Sequence, residues 1–414
     1  MPQPSTYTVT RTSHPTGRVH VIGAGPVGLL MTALLQAPGG RPIRLVERRP
    51  EYTRTRHVSL APYLVADSIE SYAADSIDGQ SVEAIFEPAQ LEDGLAFRRS
   101  IAPDLGALLR EWTVGFVPLN EIERSLSTLI DARDTQTVER VMTTLTADDA
   151  LAAMEPGDVL IDCTGTKSLF RDLLLPSAGE PVRDQNTLLF RLEHALVVTF
   201  LYGQHYACNE SCKYYKNQGN TDHKFIPAVH RTFYDGEVSH VTGIVTVTAE
   251  EFAAMPPTCD GAYLREHFPS VAVSMDRFID KIKEETHGEI VGSLDVVRIP
   301  LDLYRARNVS SRKWHQLEGS DHPLSTAPVF LVGDAAIGSP YFQSISLGFE
   351  CAMYLADLMG RAELSVEEMF DRYEAFAFKQ WLRVYMRSRM IKHNKDLLGS
   401  LDDTPELLTK LHIY

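Results

Sequence analysis

Three glycines, Gly23, Gly25 and Gly28, stand at the spacing G-x-G-x-x-G between two apolar runs, Val19–Ile22 and residues 29–36. The chemistry this spacing serves is the holding of a phosphate. Gly23 permits a tight turn, Gly25 lets a pyrophosphate reach the backbone, and Gly28 lets a helix pack closely on a strand. A helix opening at Pro26 and Val27 offers N–H groups and the positive end of its dipole to an anion. Glu47, 19 residues past Gly28, ends the next apolar run, Ile43–Glu47, where an acid takes ribose hydroxyls. The set describes a dinucleotide site and is met by FAD and NAD alike. A glycine-rich turn without a ligand is the alternative.

A second group lies near the other end of the chain. Phe330-Leu331-Val332-Gly333-Asp334-Ala335-Ala336 puts an acid at the end of a short apolar run. Residues 338–348 (GSPYFQSISLG) then form a loop entering a helix, whose start presents N–H groups and positive potential to an electron-rich ring. A third group, Asp162-Cys163-Thr164-Gly165-Thr166-Lys167-Ser168-Leu169-Phe170-Arg171, closes another apolar run.

A parallel sheet would bring these groups together. Val19–Ile22, Ile43–Glu47 and residues 158–163 and 329–332 read as buried strands, and residues 29–36 as an apolar helix stopped by Pro38-Gly39-Gly40. The first strand, turn, helix and strand make a βαβ unit. Residues 122–130 (IERSLSTLI) carry an amphipathic helical pattern. Between Thr187 and Val247 the texture changes to strand-like runs, LLFRL, ALVVTFLY and HVTGIVTV, interrupted by a polar loop over 203–224. A helical segment over 263–285, a strand-like run over 296–304 and helices over 348–359 and 365–398 follow. The expected fold class is α/β: a Rossmann-like dinucleotide-binding domain interleaved with a β-sheet substrate domain, and a C-terminal helical segment. The expected extents are 18–75, 100–180 and 291–362 for the first, 76–99 and 181–290 for the second and 363–414 for the third, after a loose tail over 1–17.

Composition narrows the partners. Of 414 residues 44% are hydrophobic and 23% charged, as in ordinary globular proteins. Forty Lys and Arg against 55 Asp and Glu give a net charge of −15, which argues against nucleic-acid binding by phosphate neutralisation. Five cysteines form no framework, so a reducing cytoplasm is expected. The uncharged stretch over 19–40 has the length of a membrane span, but Gly23, Gly25, Pro26 and Gly28 interrupt it. The first 17 residues lack the apolar run of a signal peptide.

At these residues the sequence resembles the FAD-dependent aromatic hydroxylases, the class A flavoprotein monooxygenases, nearest in motif to their kynurenine 3-monooxygenase branch. The resemblance rests on the glycine turn, on Glu47-Arg48-Arg49 and Arg54-x-Arg56, and on the block around Gly165. It also rests on Val332-Gly333-Asp334-Ala335-Ala336, followed by Pro340 and Gly348-Phe349-Glu350. It implies FAD held by Gly23, Gly25, Pro26, Val27, Gly28, Glu47, Arg48, Arg54, Arg56, Gly165, Gly333, Asp334, Pro340, Ser346 and Leu347. Asp334 would accept from a sugar-chain hydroxyl. The implied reaction has NADPH or NADH reduce the flavin and O2 add at C4a, the hydroperoxide then passing one oxygen atom to the substrate. That substrate would be a small polar or aromatic metabolite of specialised biosynthesis, hydroxylated at carbon or nitrogen. Pro340 and Gln343 are the candidate catalytic contacts, Gln343 either orienting substrate or peroxide or capping its loop.

The sequence departs from the family pattern at Thr164 (an Asp in the family), Ile337 (a His) and Leu119 (an Arg), and by one residue in the turn after Pro340. These departures keep two other readings open: a flavin-dependent reductase or oxidase without oxygen insertion, and a non-catalytic FAD-binding protein. A halogenase is disfavoured, since Trp112, Trp314 and Trp381 lie far apart. Cys208-x3-Cys212 with His205 and His223 lacks a second spaced pair, so a polar loop is expected there and no metal. Lys213, Tyr214, Tyr215, Lys216 and Arg231 decorate that loop or recognise a carboxylate. The basic, aromatic stretch over 376–392 reads as an amphipathic helix on the substrate domain or at a homodimer interface. The expected partner is a small-molecule substrate, with neither nucleic acid nor membrane.

Overall fold

The computed structural model describes residues 14–36, 40–54, 57–74, 88–114, 116–133, 137–155, 157–174, 184–203, 223–231, 238–311, 328–339 and 344–410. The chain forms two units, residues 1–189 with 303–387 and residues 190–302 with 388–414. In order the first unit holds β1 (Val19–Ile22), α1 (Pro26–Leu35), β2 (Ile43–Glu47), β3 (His57–Ser59), α2 (Ile69–Ala74) and α3 (Pro88–Ser100). Next come α4 (Pro103–Trp112), β4 (Phe116–Pro118), α5 (Leu119–Ala132), β5 (Val138–Met142), α6 (Ala147–Ala152) and β6 (Val159–Asp162). The chain leaves it along β7 (Thr187–Tyr202), then β8 (Phe225–Arg231), β9 (Ser239–Val247), α7 (Ala249–Ala254), β10 (Thr258–Asp260), α8 (Gly261–His267) and α9 (Pro269–Thr286). It returns along β11 (Ile290–Ala306) to β12 (Val329–Leu331), β13 (Ile337–Gly338), α10 (Ser344–Gly360) and α11 (Val366–Lys410), whose residues from 388 on belong to the second unit.

The first unit is built on a parallel sheet of order β12–β6–β1–β2–β5. Val19 pairs with Ile43 on one side and Val159 on the other. A parallel sheet needs both faces covered, and every residue of β1, β6 and β12 is buried. Helix α1 forms because Leu, Met and Ala dominate it and because Pro26, at its first turn, arrives with φ already near the helical value. It buries Leu29, Leu30, Met31 and Ala33. On α5 the spacing of Ile122, Leu126 and Ile130 makes one apolar stripe, and all three are buried. Strand order reverses at β1, with β2 on one side and β6 on the other. The carboxyl ends of parallel strands at such a point form the crevice where α/β sheets take ligands.

The second unit carries the antiparallel sheet, order β10–β11–β7–β9–β8. Strand β9 alternates strictly, turning Val241, Val245 and Val247 inward. Val271, Met275, Phe278 and Ile282, on one face of α9, complete that core. The runs read separately from sequence as LLFRL and ALVVTFLY are one strand, β7. The single helical segment expected over 263–285 is two helices, α8 and α9, because Pro269 has no N–H to continue the first and begins the second. The expected fold class is the one observed: a parallel Rossmann-like sheet, an antiparallel sheet and a helical C-terminal segment. Among the described residues no helix is long and apolar enough to cross a membrane.

Candidate functional site

The glycine turn follows β1. Gly23 has φ +98°, and a Cβ there would lie 2.7 Å from the Cys163 carbonyl. A Cβ on Gly28 would lie 1.9 Å from the Gly23 carbonyl, so this contact requires glycine. Gly25 has an ordinary φ of −73°. Its nearest neighbour would be Nη2 of Arg54, at 3.5 Å. The space over Gly25 is thus open except for a guanidinium, which is what a phosphate would require. Pro26 has no N–H, so Val27 and Gly28 carry the first amides of α1.

Glu47 ends β2 with its side chain buried. Its Oε1 accepts from the Arg48 and Arg49 amides at 3.0 and 2.9 Å and from Arg49 Nε at 3.1 Å. Its Oε2 accepts from Arg49 Nη2 at 3.0 Å, which leaves that oxygen acceptor capacity for a hydroxyl. Burial opposes ionisation of Glu47, yet the Arg49 hydrogen bonds outweigh it and hold the carboxyl below its ordinary value. Arg54 pairs with Glu123, which is fully buried on α5.

Asp162, at the end of β6, organises the third group. Its Oδ1 accepts from the Thr164 amide and hydroxyl at 2.9 and 2.6 Å, and its Oδ2 accepts from the Ser168 hydroxyl. Thr164 is thus a donor to an acid two residues earlier. Gly165 has φ +85°. Arg171, buried, donates to the carbonyls of Asp334 and Ala335. Gly333 has φ +66°, and Cβ atoms on Gly333 and Gly348 would stand 3.1 and 2.7 Å from Val27 Cγ2. Val27 therefore seats between the turn after β12 and helix α10, bringing Asp334 to the glycine turn.

A cavity of about 600 Å³ joins these groups within the first unit. Its wall includes Gly23, Gly25, Pro26, Val27, Glu47, Arg48, Arg54, Gly165 and Asp334 from the expected set. Arg49, Lys167 and Leu119 line it too, as do Thr143, Thr144 and Leu145 beyond β5. Gly28 and Gly333 shape the turns beneath it. Ser346 and Leu347 are buried, and the Ser346 hydroxyl accepts from the Ala61 amide at 2.9 Å. Pro340, Gln343 and Arg56 lie outside the described residues. Cys208, Cys212, His205, Lys213, Tyr214, Tyr215, Lys216 and the Arg231 side chain do so as well. His223 is buried, with Nδ1 3.0 Å from the Thr246 carbonyl and Nε2 2.9 Å from Glu251. Among the described residues no group of acids, cysteines or histidines could hold a metal ion.

Sequence reasoning missed Glu123 and Asp162 as members of the site. Asp162 had a signal, an acid closing a buried strand. Glu123 had a weaker one, an acid beside the apolar stripe of a helix.

No family model and no curated protein matches the chain. Solved structures do. BexE, studied for oxidation during BE-7585A biosynthesis, is 13% identical with a TM-score of 0.49, over 95% of this chain and 74% of that one. Tetracycline destructase Tet(51) is 12% identical with a TM-score of 0.48, over 94% and 96%. Aklavinone-11 hydroxylase, solved with FAD and aklavinone, is 16% identical with a TM-score of 0.41, over 83% and 62%. All three TM-scores fall below 0.5. Likeness at this level distinguishes no reaction and no substrate.

Proposed function

We propose that this chain is an FAD-dependent monooxygenase that uses NADPH or NADH and O2 to oxygenate a small polar or aromatic metabolite. The observation that carries the reading is one cavity that gathers the glycine turn, Glu47 and Asp334 from opposite ends of the chain. A nucleotide turn alone would serve NAD equally. The acid on the turn after β12 adds a second acceptor at the cavity, which the resemblance to the FAD-dependent hydroxylases assigns to the hydroxylated chain of FAD.

The residues divide the work. Val27 and Gly28 amides, with the dipole of α1, receive a diphosphate. Glu47 receives a ribose through Oε2. Arg54 and Arg48 supply positive charge at the cavity wall, and Asp334 accepts from a sugar-chain hydroxyl. Ser344 and Ile345, at the start of α10, line the cavity, and the helix N–H groups there would favour negative charge on a reduced ring. When bound, FAD would accept a hydride from NADPH or NADH and, once reduced, activate O2.

The test begins with the visible spectrum of the purified protein after reconstitution with FAD and desalting. Two persistent flavin bands are expected, then NAD(P)H and oxygen consumption with a product heavier by one oxygen atom. A colourless protein overturns the flavin assignment. A coloured one that turns over without adding oxygen overturns the monooxygenase assignment.

A further inference from the structure

Four side chains of alternating charge meet at the nucleotide end of the cavity: Glu47, Arg49 and Arg54 line it, and Glu123, buried outside its wall, joins the two arginines. Arg49 grips Glu47 through Nε and Nη2, at 3.1 and 3.0 Å. The same Nη2 lies 3.5 Å from Glu123 Oε1, which also accepts from Arg54 Nη2. Arg54 is tied a second time, through its carbonyl, which accepts from the Asn120 amide on α5 at 2.9 Å.

Glu123 stands out in this chain. It is 0% exposed, on a helix whose buried stripe is otherwise Ile122, Leu126 and Ile130. A carboxylate in such a place is costly unless paired. Its Oε2 has no hydrogen-bond partner among the described residues, so the oxygen that matters is the one both arginines share. Arg54, in contrast, is 44% exposed and reaches over Gly25. Leu119 opens the same helix and lines the same cavity, so the helix itself brings no cation there. The cation over the phosphate turn is Arg54, and what holds it is Glu123.

We infer that Glu123 is a positioning residue. It fixes Arg54 over Gly25 by holding Nη2, the atom nearest that glycine, and leaves the other guanidinium N–H groups to a diphosphate. Arg49, which it also meets, is held on Glu47 by its own Nε and Nη2 bonds, so the ribose end does not depend on Glu123. The inference rests on the dinucleotide reading of this cavity but on neither flavin nor oxygen chemistry.

Titration calorimetry with ADP and with adenosine tests it on the whole chain, as wild type, Arg54→Gln, Glu123→Gln and the double variant. Glu123→Gln leaves Arg49 on Glu47 and Arg54 in contact with water, so no buried charge is stranded. Each single change is expected to weaken ADP about 10-fold, the size of one charge-assisted contact, and to leave adenosine within about 2-fold. The double variant should be no weaker than about 20-fold, because Glu123 acts through Arg54. Equal losses for ADP and adenosine, or single losses that multiply to about 100-fold in the double, would show a general structural role and overturn the inference. If Glu123→Gln melts as an unfolded chain, Glu123→Asp replaces it with the same two readings. A wild type that binds ADP but no FAD leaves this inference standing and overturns the flavoprotein assignment. One that binds neither overturns both.

Discussion

Arg171 donates from Nε to the carbonyl of Ala335 at 2.8 Å, across 164 positions of sequence. Its Nη2 donates to the Asp334 carbonyl at 2.8 Å, and its guanidinium lies 4.9 Å from the centre of the Tyr304 ring. The Tyr304 hydroxyl donates to the same Asp334 carbonyl at 2.6 Å. Neighbouring strands β6 and β12 bring the two loops close, and this contact fixes their relative position. Asp334 can face the glycine turn because its backbone is held from the other side.

Replacing Arg171 by leucine strands the Ala335 carbonyl in a buried place and loosens the Asp334 turn. The expected cost is about 2–4 kcal/mol, seen as a lower melting temperature, together with weakened FAD retention. Arg171→Lys keeps a charge but loses the two-pronged grip and should fall between. A leucine variant that melts and binds FAD like wild type would show that the turn holds itself.

The two glycines of the turn should separate space for a ligand from space for the fold. Gly28→Ala drives a methyl into the Gly23 carbonyl and is expected to melt far below wild type or fail to fold. Gly25→Ala meets a flexible guanidinium at 3.5 Å, with φ already suited to alanine. It should hold or raise stability by up to about 1 kcal/mol while reducing dinucleotide affinity at least about 10-fold, since the methyl occupies the phosphate's approach. Thermal melting alongside ADP titration reads both, and a Gly25→Ala protein with full affinity would remove the phosphate from that position.

What could be read from the sequence divides by range. The β1–α1–β2 order was legible, and Glu47 and Asp334 could be placed at the ends of buried strands, because glycine spacing and apolar periodicity are local signals. Glu123 was not: helical periodicity placed Ile122, Leu126 and Ile130 inside, and nothing local says that Arg49 and Arg54 fold over the neighbouring acid. Arg171 was legible as a motif position, whereas its targets at Asp334 and Ala335 belong to a strand pairing that no local pattern encodes. The break before Pro269 shows the reverse, a local rule strong enough to divide a helix that periodicity ran together.

Glu350 on α10 is expected to be a stability position. Its Oε1 accepts from Arg98 Nη2 at 3.0 Å and from the Tyr72 hydroxyl, and its Oε2 accepts from Arg383 Nη1 at 3.1 Å. All three partners are buried or nearly so. Glu350→Gln leaves two guanidinium groups without their shared counter-charge, at a cost of about 3–5 kcal/mol. Thermal or urea unfolding checks this, and a loss below about 1 kcal/mol would mean that water reaches these arginines.

His20 is buried in β1 with Nε2 2.8 Å from Asp158 Oδ2. Burial holds its pKa below the ordinary 6.5, against the opposing pull of the Asp158 hydrogen bond. A histidine depressed in the folded state takes up its proton first in the unfolded chain. Its contribution to stability is therefore complete above pH 6.5 and is lost as the pH falls below that value toward the folded pKa. His240, lowered by burial as well, adds a slope of the same sign. Melting temperature should fall as pH drops from about 7.5 to about 5, and His20→Gln, which cannot take up a proton, should flatten that fall. Glutamine also loses part of the hydrogen bond to Asp158, so the variant is expected to be less stable at neutral pH while depending less on acid. An unchanged slope in His20→Gln would mean that its protonation is the same in both states, and that burial in β1 does not set its charge.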